Sequence, residues 1–278
     1  MKIKTKSGVY ITIDSNGSSQ IVFFDRPVRA IELAKDETWK ISSSLVNDGY
    51  ELDELTKRET HGAKDVSNIV SEVEMEAKQY MENHHFSGHD FAHVLRVRKL
   101  CEIIGQKENA DMSILLAAAL LHDLGRDHER KDPTIDHAEK SAEIAEEILN
   151  KVGFTPDKIP GVVYAIKVHR FSGKVVPTTL EAKILQDADR IDISGAVGIA
   201  STFAYGGVHG SEMYDVDDPL AESRDLDDNS YTLDHFYSKL LHLPETMHTK
   251  IGREVANRRR EFTRHFLDEF RAEIEGKE

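Results

Sequence analysis

Apolar positions along this chain change period once. In "GVYITIDSNGSSQIVFF" (8–24), two runs of β-branched and aromatic residues flank Asn16-Gly17. That arrangement predicts a β-hairpin. "PVRAIEL" (27–33) predicts a third strand, and "DETWKISSSLV" (36–46) a short helix stopped near Asn47-Asp48-Gly49. From about residue 63 the spacing turns helical. "VSNIVSEVEMEAKQYMEN" (66–83) is amphipathic, and over 90–106 Val94, Val97, Cys101 and Ile104 form one stripe. The segment 112–122 is apolar all round and belongs at the centre of a bundle. "DHAEKSAEIAEEILNKVG" (136–153) ends at Gly153, a helix stop. "IPGVVYAIKVH" (159–169), "TLEAKILQDADRI" (179–191) and a tail helix over about 245–275 complete the set. The acidic stretch 213–230, which contains Pro219, reads as a solvated surface connector. The expected fold class is therefore mainly α: a helical domain over 63–278 behind a small β-rich appendage, residues 1–62. No ligand cluster lies in the appendage, so packing or self-association into a homo-oligomer is its expected role.

Composition narrows the class. In 278 residues, 39% hydrophobic and 31% charged content suits a globular protein and not a disordered one. No run of about 18 apolar residues exists, so no transmembrane span is expected. The basic start "MKIKTKSGVY" continues into polar residues, which is not a secretory signal. One cysteine, Cys101, excludes an internal disulfide and fits a reducing cytoplasm; its helical stripe marks it as a buried structural thiol. A formal charge of −14 argues against a nucleic-acid duplex as partner. A phosphate substrate stays open, because a pocket holding cations is locally positive inside an acidic protein.

The chemistry concentrates where "MSILLAAALLHD" runs an uncharged helix into His122 and Asp123. An ionisable pair at the end of a buried element is costly unless compensated. Helical phase turns three more histidines inward. His93 leads the row Val97, Leu100, Ile104; His137 lines up with Ser141, Ile144 and Ile148; His169 follows Val162 and Ile166. His122 itself shares a face with Leu115 and Ala118. Each alone reads as a hydrogen-bonded core histidine. Four of them together with buried carboxylates are reconciled by a divalent cation. In "LQDADRID" (185–192), Asp187, Asp189 and Asp192 lie among Ile184, Leu185, Ala188 and Ile191, so at least one sits at the core boundary. Asp90 reads as a helix cap, and "NRRREF" (257–262) as a solvated, salt-bridged face.

The ordered set H…HD…H…H…D resembles the HD-domain superfamily of metal-dependent phosphohydrolases. "GHDFAHVLRV", "LLHDLGR", "HAEKSAEIAEEIL", "EAKILQDADRIDISGAVGIA" and "HFYSKLLHLPETMHTKIGREVANRRREFTRHFLDEF" resemble one bacterial and archaeal branch of it, over about 85–278. The resemblance implies an HD-domain helical bundle with His93, His122, Asp123 and Asp189 as a metal shell, Asp187 being the alternative to Asp189. His137 and His169 match the further histidines of two-metal members, in which a carboxylate like that of Asp123 bridges the ions; otherwise they contact substrate or support the shell. One or two divalent transition-metal ions are implied, and mixed nitrogen and oxygen ligands do not separate manganese, iron, cobalt, nickel and zinc. The implied reaction is cleavage of a phosphoester or phosphoanhydride, in a nucleotide, by a metal-activated water. Asp123, Asp189 and Arg126 would be catalytic, with Arg126, Lys183 and Arg190 as candidates for holding phosphates. Two other readings use the same residues: a di-iron oxygenase of HD fold, and a non-catalytic nucleotide-binding sensor.

Overall fold

The computed structural model describes the backbone of residues 2–4, 9–13, 19–23 and 32–33, and the chain over 66–82, 90–170 and 175–277. The chain divides into two compact units, Met1–Ala63 and Lys64–Glu278. In the first, strands β1 (Lys2–Lys4), β2 (Val9–Ile13), β3 (Ser19–Phe23) and β4 (Glu32–Leu33) form an antiparallel sheet in chain order. Ile11 pairs with Ile21 and Ile13 with Ser19, so β2 and β3 pair as the two arms of the expected hairpin, whose turn lies outside the described residues. β4 falls in the expected third strand. β1, which pairs Ile3 with Ile11, lies in the basic start that carried no strand signal. The helix expected over 36–46 lies outside the described residues.

The second unit is helical: α1 (Val66–Glu82), α2 (Phe91–Glu108), α3 (Met112–Leu121), α4 (Arg126–Lys131), α5 (His137–Val152), α6 (Ile159–Lys167), α7 (Leu180–Asp192), α8 (Gly195–His209), α9 (Asp234–Ser238) and α10 (Lys250–Ile274). Among these helices none is long and apolar enough to cross a membrane. α3 is packed on by α1, α2, α5, α6 and α7. Neighbours on every side explain why it is apolar all round: Leu115, Leu120 and Leu121 are fully buried. Each such side chain stabilises the fold by about 1.5–3 kcal/mol relative to exposure. Asp111 starts α3 by accepting from the Ser113 and Ile114 backbone N–H groups. Asp90 caps α2 at the His93 N–H (2.9 Å), as expected. α5 stops at Gly153, whose φ of 71° is the left-handed conformation glycine permits.

Residues 213–230 lie at the surface as the expected connector, but they are folded back on themselves. Arg224 donates to both oxygens of the buried Asp234, stacks 4.5 Å from the centre of the Tyr231 ring, and also reaches the Asp218 carbonyl. Asp234 lies beyond the acidic run, in α9, and supplies the counter-charge that folds the segment back. The "NRRREF" face is also only partly solvated. Arg259 donates to the carbonyls of Ile191 (2.7 Å) and Ser194 (3.3 Å), satisfying the C-terminal end of α7.

Candidate metal centre

Five helices deliver six side chains to one place. His93 is on the first turn of α2, His122 and Asp123 close α3, His137 opens α5, His169 follows α6, and Asp189 is in the last turns of α7. The four histidines and Asp123 are buried, whereas the Asp189 side chain is 18% exposed. The turn between α3 and α4 is fixed by Gly125. Its N–H donates to Ser141 Oγ (2.8 Å), and a Cβ there would fall 2.3 Å from the His137 carbonyl oxygen. Glycine is required because the Asp123 turn and the start of α5 touch backbone to backbone.

Three rings are held by a hydrogen bond at Nδ1, and the fourth, His137, turns its Nδ1 to a carboxylate in an ion-pair contact. His93 Nδ1 meets Asp192 Oδ2 (2.9 Å), and His137 Nδ1 meets Glu129 Oε2 (2.9 Å). The Nδ1 atoms of His122 and His169 donate to the carbonyls of Ala119 (2.8 Å) and Ile166 (2.6 Å). With Nδ1 turned outward, every Nε2 points inward and offers a lone pair there once it carries no proton. His93 Nε2 is 3.3 Å from His122 Nε2, 3.5 Å from Asp123 Oδ2 and 3.4 Å from Asp189 Oδ1. His122 Nε2 is 3.6 Å from Asp123 Oδ2 and 3.8 Å from Asp189 Oδ1. Two ring nitrogens and two carboxylate oxygens therefore face one another. Ligand bonds of about 2.1 Å at tetrahedral or octahedral angles would set neighbouring donors about 3.0–3.4 Å apart, so a small contraction fits a cation here.

The other oxygen of Asp123 serves a second group. Oδ1 lies 3.5 Å from His169 Nε2 and 3.8 Å from His137 Nε2, and neither nitrogen has a hydrogen-bond partner among the described residues. Both groups, His93–His122–Asp123 and Asp123–His137–His169, have the compactness a metal ion needs. Buried imidazole nitrogens without partners are costly unless a cation or proton satisfies them.

The electrostatics point the same way. Burial alone lowers the pKa of His93, but Asp123, Asp189 and Asp192 outweigh it and push the group up to about 11. Burial would raise Asp189; its bonds to His122 and His93 instead hold it well below the usual carboxylate range. These carboxylates demand positive charge, which a metal ion supplies in place of a proton. His137 is lowered to about 4, by burial first and then by the charge of Arg126, so it stays neutral and able to ligate.

Asp187, the alternative ligand, is elsewhere. It is buried and accepts from the backbone N–H groups of His248 and Thr249 and from Thr249 Oγ1, fastening the start of α10 to α7. Arg126 reaches the centre, with Nε 2.9 Å from Asp123 Oδ1. The expectation for Arg190 and Lys183 meets a different arrangement. Residues on a helix turn by about 100° each, which puts Lys183, Gln186, Asp187 and Arg190 on a different side of α7 from Asp189 and Asp192. There Arg190 donates to the Thr246 carbonyl and to Gln186 Oε1, both at 2.7 Å, bracing the approach to α10. Sequence reasoning did not foresee the ring-orienting roles of Asp192 and Glu129. Asp192 carried a signal, as an acid on the Asp189 side of an apolar helix; Glu129 sits in the charged run "RDHERK" and carried none.

A buried nest of imidazoles and carboxylates at the crossing of five helices, fit to hold a divalent ion, defines the class. The HD-domain family pattern matches residues 90–194, a span that contains all six residues. The protein YpgQ of Bacillus subtilis is 36% identical over 194 residues, covering 68% of this chain and 86% of YpgQ. A structure of YpgQ in complex with ADP is 29% identical with a TM-score of 0.58, over 75% of this chain and 96% of that one. An HD-superfamily hydrolase from Bacillus thuringiensis is 30% identical with a TM-score of 0.60, over 75% of this chain and 98% of its own. The chain belongs to the HD-domain superfamily.

Proposed function

We propose that this protein is a metal-dependent phosphohydrolase that cleaves a phosphoester or phosphoanhydride bond in a nucleotide. The observation that carries the proposal is the convergence of four ligand-type atoms, His93 Nε2, His122 Nε2, Asp123 Oδ2 and Asp189 Oδ1, with neighbouring separations of 3.3–3.8 Å. These four residues would hold one ion, and His137 and His169 with Asp123 Oδ1 would hold another. A bound divalent cation supplies Lewis acidity there, acidifying a water molecule and polarising a phosphoryl oxygen. The chain supplies the rest. Asp192, Glu129 and two backbone carbonyls fix the imidazoles before substrate arrives, so little reorganisation is left for the reaction. Asp189, the partly exposed member, borders the route by which water and a phosphate enter. Arg126 offers a guanidinium fork to phosphate oxygens. ADP in the YpgQ complex supports a nucleotide as the substrate class.

The test is a screen for phosphate and pyrophosphate release across nucleoside mono-, di- and triphosphates with manganese, iron, cobalt, nickel or zinc, followed by elemental analysis. Metal-dependent release is the expected result. Oxygen consumption with a mixed-valent iron pair, or tight nucleotide binding without turnover in metal-loaded protein, would replace the proposal with an oxygenase or a sensor.

A further inference from the structure

The two halves of the centre carry different charge. Beside Asp123 Oδ2 stand two imidazole nitrogens and a second carboxylate, that of Asp189. Beside Asp123 Oδ1 stand two imidazole nitrogens and a guanidinium. Arg126 Nε donates to that oxygen at 2.9 Å, closer than His169 Nε2 at 3.5 Å or His137 Nε2 at 3.8 Å. Glu129 answers the guanidinium only from its far side: its Oε2 lies 3.7 Å from Arg126 Nη1 and 2.9 Å from His137 Nδ1, its Oε1 accepts from Arg170 at 2.8 Å, and neither oxygen is paired with the site at Oδ1. One cation is thus already seated on the oxygen that a second metal ion would need. Two like charges a few ångströms apart in a partly buried site repel strongly. Arg126 can also leave: its side chain is 27% exposed, while Asp123 and the two histidines are buried.

We propose that Arg126 gates the second cation position: its guanidinium holds Asp123 Oδ1 and keeps that position weak until a phosphate-bearing ligand draws the arginine away. The first ion is then resident, and the second arrives with substrate at Asp123, His137 and His169. A phosphate group is suited to pull the gate, because it binds guanidinium through paired hydrogen bonds and carries more negative charge than one carboxylate. The idea rests on the reading of this centre as metal-binding. If Arg126 were only a clamp for Asp123, phosphate would not change cation binding.

The experiment titrates the full chain with Mn(II), with and without inorganic phosphate, in the wild type and in Arg126→Met. It is read by calorimetry and by electron paramagnetic resonance. Wild type alone is expected to bind one ion tightly and a second at least about tenfold more weakly. Phosphate should tighten the second step by a similar factor and bring up an exchange-coupled two-manganese signal. Arg126→Met should show both tight steps and the coupled signal without phosphate. Two equal steps in phosphate-free wild type, a single ion under every condition, or an Arg126→Met titration unchanged from wild type would each overturn the gate. No tight ion in the wild type, or an ion retained by His122→Ala, would instead overturn the metal-binding reading beneath it. Should Arg126→Met fail to fold, the wild-type comparison with and without phosphate decides alone.

Discussion

His93 makes metal binding a competition with protons. In the metal-free centre the carboxylates of Asp123, Asp189 and Asp192 overcome the burial of the ring and raise its pKa to about 11. An ion that takes His93 Nε2 must displace the proton held there. His137, lowered to about 4, has none to give near neutrality. Binding of the first ion should therefore release about one proton, and its apparent affinity should rise about tenfold per pH unit from pH 6 to 9. The sign is fixed by the raised pKa: acid favours the protonated ring and opposes the metal. At pH 7, four units below that pKa, the competition is worth about four decades, or ~5 kcal/mol. Isothermal titration with Mn(II) or Co(II) measures it, using buffers of different ionisation enthalpy to count protons. A proton count near zero, with affinity flat across this range, would refute the reasoning, because the carboxylates would then not be holding a proton on His93.

Replacing His122 and Asp123 together by alanine should bring metal content to background and abolish turnover; full activity in a folded double variant would end the hydrolase reading. His169→Ala should remove only the second ion, lowering the count from two to one when phosphate is present, as elemental analysis would show. Gly125→Ala places a methyl group 2.3 Å from the His137 carbonyl and 2.8 Å from the Ser141 nitrogen. It should cost about 1–3 kcal/mol, a fall of several degrees in melting temperature, and weaken metal binding by displacing His137. A melting curve matching wild type would contradict that close approach.

The sequence makes burial legible and leaves pairing largely unread. An uncharged run from Met112 to Leu121 is explained only by neighbours on all sides, and α3 has them. Inward phase likewise singled out His93, His122, His137 and His169, because helical period is a local property. What each polar side chain meets with its remaining atoms is not local. Asp192 finds His93 across 99 positions of chain, and Asp187 finds His248 and Thr249 across 61 and 62. Nothing in "DADRID" separates a capping aspartate from one that faces the candidate ligands, and Arg126 and Arg190 look equally near the shell until α4 and α7 give them different partners. Charged runs mislead for the same reason. Arg224 sits in a charged run of surface character and stays partly exposed, yet its paired hydrogen bonds let Asp234 leave water, since a buried charge costs far less when paired. Residue type and phase thus decide which side chains enter the interior. The contacts that orient them are set when distant helices meet, and this centre depends on those contacts, since an imidazole whose Nδ1 is not held has no fixed Nε2 to offer.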